Sequence, residues 1–304
     1  MSGSGEVMMS QVNVYLKLLR PFTLLAPLIV SSSIIVASLI RSENTGLGDF
    51  SILITIVSAS FCFALLNGAS NVLNQATDWK EDAVSKPYRP IPLGLVTPKE
   101  AYQVSFVLYL GAFLLSFTIH QLFSLFITLI ALFSLTYSLT PRMKQYLFFN
   151  QLWVALPRGF LAILASWSVF GNPFEPIPMA IGCVAALFLF GGTTTKDILD
   201  AEADRMVGTK TLVNVYGLKI AAIFSLFFMI SAFCLIILLI YLNILPTVVF
   251  PLSLLCILSI IIGWLMLHQH KNSNWENTSA WTVMYATYFL FALSFAMITI
   301  VFSA

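Results

Sequence analysis

Long apolar stretches alternate with short polar ones along almost the whole chain. A helix needs about 20 apolar residues to cross a bilayer, and nine stretches approach or exceed that length. Turn-forming residues separate them, as in Thr140-Pro141 and Gly171-Asn-Pro. The pattern predicts an all-α integral membrane protein with about nine transmembrane helices, over residues 21–40, 51–73, 100–119, 122–140, 150–170, 177–195, 218–242, 246–268 and 279–302.

Composition agrees with this pattern. The chain is 59% hydrophobic and 9% charged, whereas soluble globular proteins carry about 25% charged residues. A formal net charge of +2 indicates no nucleic-acid partner. The four cysteines lie in separate apolar runs without a CxxC pair, so a metal or redox role is not predicted. We also predict no protein partner and no cleavable signal peptide.

The basic residues predict the orientation of the chain. Cytoplasmic loops of membrane proteins carry an excess of Lys and Arg. With a cytoplasmic N-terminus, thirteen of the 15 basic residues fall on the cytoplasmic side, Arg41 falls on the other side and Arg158 lies within the fifth span. We therefore expect a cytoplasmic N-terminus. The composition of residues 1–12 predicts that this segment is flexible.

The acidic residues concentrate in two short segments that each follow an apolar run. Seven of the 13 lie within residues 74–82 and 197–204. Side chains four residues apart share one face of a helix, as do Asp200 and Asp204 in the second segment and Asn74, Asp78 and Asp82 in the first. Like charges at that spacing repel one another, so a positive group is expected between them.

Mg²⁺ is the cation that this arrangement favours. It prefers oxygen ligands and is usually held by one or two carboxylates together with water and substrate phosphates. On the predicted topology both segments lie on cytoplasmic loops, over about residues 74–99 and 196–217, where they would hold two or three Mg²⁺ ions and a diphosphate. Basic residues suited to phosphate oxygens flank the segments: Lys86, Arg89, Lys196, Arg205 and Lys210. Either segment alone would more often be a solvated charged loop, but two segments with matching spacing, topology and basic neighbours favour a binding site.

Four segments, in the same order, resemble the UbiA superfamily of intramembrane prenyltransferases. The family's Asn-Asp-x-x-Asp-x-x-x-Asp motif is similar to residues 74–82, and its Asp-x-x-Asp-x-x-x-Asp motif to residues 197–204. Residues 86–94 resemble its Arg-Pro-Leu-Pro-x-Gly segment, and residues 137–144 its Tyr-Ser-x-x-Pro-Arg-x-Lys segment. Gln75 departs from the first motif and removes one potential ligand.

The resemblance implies a single membrane-embedded domain, residues 1–304, in which nine helices surround a central cavity capped by the two loops. It implies Mg²⁺-dependent transfer of a prenyl group from an allylic prenyl diphosphate to a lipophilic acceptor. The acceptor would be an aromatic compound such as a quinone precursor. The alternative is a hydroxyl, as in the digeranylgeranylglyceryl phosphate synthases of archaeal ether-lipid synthesis. A short chain without extra domains suits the plasma membrane of a prokaryote.

The resemblance also assigns roles to residues. The metal ligands would be Asn74, Asp78, Asp82, Asp197, Asp200 and Asp204, and the catalytic residues Asp78, Asp82, Asp200, Asp204 and Tyr137. The diphosphate would be bound by Asn74, Arg20, Lys86, Arg89, Lys144, Lys196, Arg205, Lys210 and Arg158.

Two of these assignments leave alternatives open. Tyr137 would either stabilise an allylic cation through its aromatic ring or belong to the aromatic belt at the membrane interface. Arg158 is a functional hypothesis because arginine is costly inside a membrane. It would contact the diphosphate or an anionic acceptor, or else have a structural role.

A transporter is the non-enzyme alternative. Transport sites lie near the bilayer midplane, and acidic residues inside the spans mark their pathways. The predicted spans of this chain carry almost no acids, and the carboxylates cluster at one face. The pattern therefore favours an enzyme.

Overall fold

The computed structural model describes residues 3–42, 47–268 and 277–303. All regular structure within these ranges is helical. The elements are α1 (Gly3–Leu19), α2 (Pro21–Arg41), α3 (Asp49–Thr77), α4 (Trp79–Ser85), α5 (Pro98–Phe117), α6 (Gln121–Ser138), α7 (Phe149–Ala155), α8 (Ala162–Trp167), α9 (Pro176–Gly192), α10 (Asp197–Met206), α11 (Leu212–Tyr241), α12 (Cys256–Leu267) and α13 (Ser279–Ser303). A π-helix (Leu156–Leu161) joins α7 to α8, and short 3₁₀ turns cover Met143–Gln145, Thr193–Lys196 and Thr247–Leu255.

The prediction of an all-α membrane fold is confirmed. In the described part of the chain, eight helices are long and apolar enough to cross a membrane, and they match eight of the nine predicted spans. The remaining prediction, residues 150–170, falls on α7, the π-helix and α8, none of which reaches that length alone. Pro157 lacks the N–H that a continuous α-helix requires there. The count of nine and the cytoplasmic N-terminus therefore stay predictions.

The predicted flexible segment at residues 1–12 overlaps α1. A helical backbone does not by itself test mobility, so this expectation also stays a prediction. The predicted spectator cysteines Cys62, Cys183, Cys234 and Cys256 are all free thiols.

Two aromatic-rich clusters hold the bundle together. One joins α9, α11 and α13, where the Phe233 ring lies 5.3 Å from that of Phe188 and 6.2 Å from that of Phe291. The other joins α3, α5 and α6 and includes an edge-to-face contact of Phe63 with Phe123. Other large apolar side chains point outward, as lipid-facing positions require, among them Phe106.

Glycines allow α9 to approach its neighbours closely. A Cβ at Gly191 would lie 2.5 Å from the Ser225 carbonyl oxygen of α11, and one at Gly159 would lie 2.6 Å from the Ala186 backbone of α9. Small residues at such contacts let membrane helices pack backbone to backbone. This packing fixes the π-helix and α11 on either side of α9, whose C-terminal end leads into the second acidic segment.

Candidate active site

One cavity brings together both acidic segments. It is lined by α2, α3, α6, the α7–α8 segment, α9, α10 and α13. All six predicted metal ligands line it: Asn74, Asp78, Asp82, Asp197, Asp200 and Asp204. Its other lining residues include the apolar side chains of Val30, Phe63, Leu66, Ile130 and Met284, together with the hydroxyl of Ser134 and the guanidinium of Arg158. The cavity therefore joins a highly charged region to a largely apolar one.

Asp78 is held between two cations. It follows the last turn of α3, and its backbone N–H still donates to the Asn74 carbonyl. Its carboxylate accepts from Arg142 Nη2 at 2.7 Å and from Lys144 Nζ, which also donates to the Asn74 side-chain oxygen at 3.2 Å. Burial lowers the pKa of Lys144, although the charge of Asp78 opposes that effect.

Asp82 forms a buried ion pair with Arg89. Arg89 Nη1 lies 2.8 Å from each carboxylate oxygen, and both side chains are 6% exposed. Burial raises the pKa of Asp82, while the nearby charges of Arg89 and Lys86 lower it. The ionised form of the Asp82 carboxylate is therefore stabilised by these two cations.

Asn150 links the second segment to α6. Its side-chain oxygen accepts from Tyr137 Oη at 2.9 Å and from Lys196 Nζ at 3.1 Å, and its amide donates to Asp197 at 3.0 Å. Lys196 also contacts the Tyr137 hydroxyl at 3.1 Å and the Asp197 carboxylate at 2.9 Å. The phenol of Tyr137 is thus oriented by a buried polar network at the charged end of the cavity.

Lys86 connects the two acidic segments directly. It follows α4, and its ammonium group forms an ion pair with Asp200 on α10. Asp204, one turn further along α10, lines the same cavity, and no hydrogen bond or ion pair reaches its carboxylate from the described residues. It is therefore the carboxylate best placed to accept a further cation.

The donor set suits Mg²⁺, since it consists of carboxylate and amide oxygens. Among the described residues, no three His, Cys, Asp or Glu side chains lie close enough together to hold one ion. The carboxylates are instead paired with Lys and Arg on facing elements. Because Mg²⁺ typically takes one or two carboxylates and completes its shell with water and phosphate, this arrangement fits ions that bind together with a diphosphate.

Gln75 points away from the cavity. Its side chain is 1% exposed, and its amide donates to the Leu18 carbonyl at 2.6 Å, near the end of α1, and to the Asn71 carbonyl at 3.3 Å. The departure from the family motif therefore lies at a helix–helix contact. In this fold an acid at position 75 would not face the other acidic residues.

We expect Gln75→Glu to destabilise the protein by about 1–3 kcal/mol, because a carboxylate would face the Leu18 carbonyl without a proton to donate. The measurement is thermal unfolding of purified protein in detergent. The same substitution at exposed Gln121 is the control and is expected to change little. Equal melting temperatures for Gln75→Glu and the wild-type protein would contradict the assignment of this contact.

Other predicted phosphate-binding residues divide into two groups. One group lines the cavity: Arg20, Lys86, Arg89, Lys144, Lys196 and Arg158. The other group, Arg205 and Lys210, is exposed and does not line the cavity. The predicted catalytic residue Tyr137 also lines the cavity. Arg20 Nη2 lies 3.4 Å from the Asn277 side-chain oxygen at the start of the last helix. None of these contacts tests the predicted roles, which stay predictions.

Two residues in the site were not among the predicted ones. Arg142 bridges Asp78 and Glu81, at 2.7 and 3.2 Å. It belongs to the Pro-Arg-x-Lys segment, so the motif offered a signal for it. Asn150 carries no such signal, because an asparagine at the first position of a predicted span resembles any interfacial polar residue.

The fold and the site define a membrane-embedded protein with a charged cavity mouth and an apolar interior, an arrangement suited to amphiphilic anionic substrates. The UbiA prenyltransferase family matches residues 30–285. The chain therefore belongs to this family and is a prenyltransferase, which excludes the transporter alternative.

Relatives differ in the reactions that their names describe. The digeranylgeranylglyceryl phosphate synthase of Methanobrevibacter smithii is 28% identical over 71% of this chain and 73% of its own length. The homogentisate solanesyltransferase of Arabidopsis thaliana is 29% identical over 68% of this chain and 55% of its own. A UbiA homologue from Archaeoglobus fulgidus, solved with GPP and Mg²⁺, covers 95% of this chain and 98% of its own at 18% identity, with a TM-score of 0.70. This last likeness confirms the fold.

Proposed function

We propose that the protein transfers a prenyl group from an allylic prenyl diphosphate to a lipophilic acceptor within the membrane, in a reaction that requires Mg²⁺. One observation carries the proposal: both acidic segments and their cations line the charged end of a single cavity whose interior is apolar. A diphosphate head would lie at the charged end, and its isoprenoid tail in the apolar part. A homologue of the same fold has been solved with GPP and Mg²⁺ bound, which supports a prenyl diphosphate and Mg²⁺ as ligands.

The residues would act on the leaving diphosphate. Mg²⁺ bound by Asn74, Asp78 and Asp82 and by Asp197, Asp200 and Asp204 would supply positive charge to the phosphate oxygens. Lys86, Arg89, Lys144 and Lys196, which pair with carboxylates here, would donate to the same oxygens when substrate is bound.

The bond changes follow from that placement. The allylic C–O bond breaks, the diphosphate leaves with the electron pair, and the acceptor forms the new bond and then loses a proton. Tyr137 lines the cavity and its hydroxyl donates to Asn150, so its ring would stabilise the positive charge of the allylic group.

An aromatic acceptor such as a quinone precursor is the first candidate. A hydroxyl acceptor is the second, and the names of relatives favour it, since five of the similar proteins are digeranylgeranylglyceryl phosphate synthases. We also propose a prokaryotic plasma membrane and a site that faces the cytoplasm. Thirteen of the 15 basic residues on that side of the predicted topology support this orientation.

Removal of divalent ions is expected to stop turnover. Without Mg²⁺, the carboxylates of both segments would repel the diphosphate instead of binding it. The assay combines purified protein, geranylgeranyl diphosphate and a panel of acceptors, with products identified by mass spectrometry after EDTA treatment and after readdition of Mg²⁺. An undiminished rate in EDTA would reject the metal-dependent mechanism.

A further inference from the structure

Arg158 lies in the only π-helical turn of the described residues, Leu156–Leu161. In this turn the Ala162 N–H bonds to the Pro157 and Gly159 carbonyls and omits the Arg158 carbonyl, which accepts from Tyr288 Oη at 2.8 Å instead. The close approach of Gly159 to α9 holds the turn from the other direction. Turns of this kind are frequent at functional sites, and here the backbone of Arg158 is fixed from two sides.

The side chain of Arg158 is exposed within the cavity. No hydrogen bond or ion pair to its guanidinium occurs among the described residues, whereas Lys86, Arg142, Lys144 and Lys196 each pair with a carboxylate. An arginine within a membrane is costly unless it pairs with another group. Its five N–H donors have no partner among the described residues and can therefore bind a ligand.

Hydroxyl groups of α6 and α13 line the cavity together with Arg158. Tyr288 of α13 donates to the Arg158 carbonyl, and Tyr285 of α13 and Ser134 of α6, the partner of Tyr109 of α5, line the same cavity. These phenols already have partners: Tyr109 Oη lies 2.5 Å from Ser134 Oγ, and Tyr285 Oη donates to the Thr23 carbonyl at 2.5 Å. They leave the positive charge of Arg158 without a counter-ion. None of them belongs to an acidic segment.

We propose that Arg158 binds an anionic group of the acceptor and thereby selects acceptors that carry a carboxylate or a phosphate. Planar guanidinium groups bind both anions through paired hydrogen bonds. The diphosphate already meets several cations at the charged end, whereas Arg158 contacts neither acidic segment. The proposal rests on the prenyl transfer proposed above and assigns Arg158 to the acceptor rather than to the diphosphate.

The test compares wild-type protein with Arg158→Met and Arg158→Lys. The probes are 4-hydroxybenzoate and geranylgeranylglyceryl phosphate, each paired with a neutral counterpart, the methyl ester and geranylgeranylglycerol. Binding of each probe to purified protein is measured by calorimetry, and steady-state constants are measured with geranylgeranyl diphosphate. Arg41→Met, at the end of α2 and outside this cavity, is the matched control.

We expect Arg158→Met to weaken binding of the anionic probe that wild-type protein accepts by about 10- to 100-fold, the range for a lost hydrogen bond to a charged group. The KM for that acceptor should rise similarly, with the KM for geranylgeranyl diphosphate unchanged. Arg158→Lys should retain part of the binding, and Arg41→Met all of it. Whether the carboxylate or the phosphate probe binds identifies the source of the anion.

Three results would overturn the inference. They are unchanged binding of the anionic probe by Arg158→Met, an equal loss for neutral and anionic probes, or a rise in KM for the diphosphate alone. Each presupposes wild-type turnover. If wild-type protein forms no product with any acceptor, the proposed function fails instead. Melting temperatures of the variants establish that they are folded.

Discussion

Asp204→Ala is expected to reduce prenyl transfer by about 100-fold or more while leaving the amount of folded protein in membranes unchanged. Loss of one group that stabilises developing charge in an enclosed site typically costs about 100- to 1,000-fold in rate. Asp204 lines the cavity and forms no ion pair with the described residues, so its removal leaves no orphaned cation. Alanine also preserves α10, because it is the best helix former.

The measurement is the rate of product formation at saturating geranylgeranyl diphosphate over a series of Mg²⁺ concentrations. Glu202→Ala is the matched control, since Glu202 is an exposed acid on the same helix and does not line the cavity. It should keep close to the wild-type rate. Retention of the wild-type rate and Mg²⁺ dependence by Asp204→Ala would refute the metal-site assignment of the second segment.

Arg89→Met is expected to lower the free energy of unfolding by about 3–5 kcal/mol. Removing one partner of a buried ion pair leaves the other charge uncompensated, and that loss is typically of this size. Arg89 Nη1 contacts both oxygens of Asp82 at 2.8 Å, and both side chains are buried. Activity should fall as well, because Arg89 lines the cavity beside the acidic residues that are proposed to bind the diphosphate with Mg²⁺.

A double-mutant cycle separates the pair from general effects of substitution. Asp82→Asn in the Arg89→Met background should recover part of the lost stability, since it removes the unpaired carboxylate. Arg41→Met, at an exposed position, should leave the melting temperature near that of the wild-type protein. If the effects of Arg89→Met and Asp82→Asn simply add, the two side chains are not coupled and the ion pair is wrongly assigned.

The apolar stretches and the acidic spacing predicted much of this protein because both depend on local sequence. A span needs only length and hydrophobicity, and Asn74, Asp78 and Asp82 share a face through helix periodicity alone. The fifth predicted span stays a prediction, because α7, a π-helix and α8 follow one another there in place of a single α-helix. Pro157 lacks a backbone N–H, and Gly159 packs against Ala186 of α9, a contact that the local sequence does not reveal.

The candidate site, too, was predicted only in part from the sequence. The sequence by itself determined which residues carry charge, that they lie at the ends of spans, and which family the chain resembles. Only the tertiary structure decided that Gln75 faces α1, that Lys86 pairs with Asp200 across 114 residues, and that the side chains of Asp204 and Arg158 form no ion pair with any described residue. Those outcomes depend on the direction of each side chain and on contacts between distant helices, which are set by how the helices pack and not by the sequence around each residue.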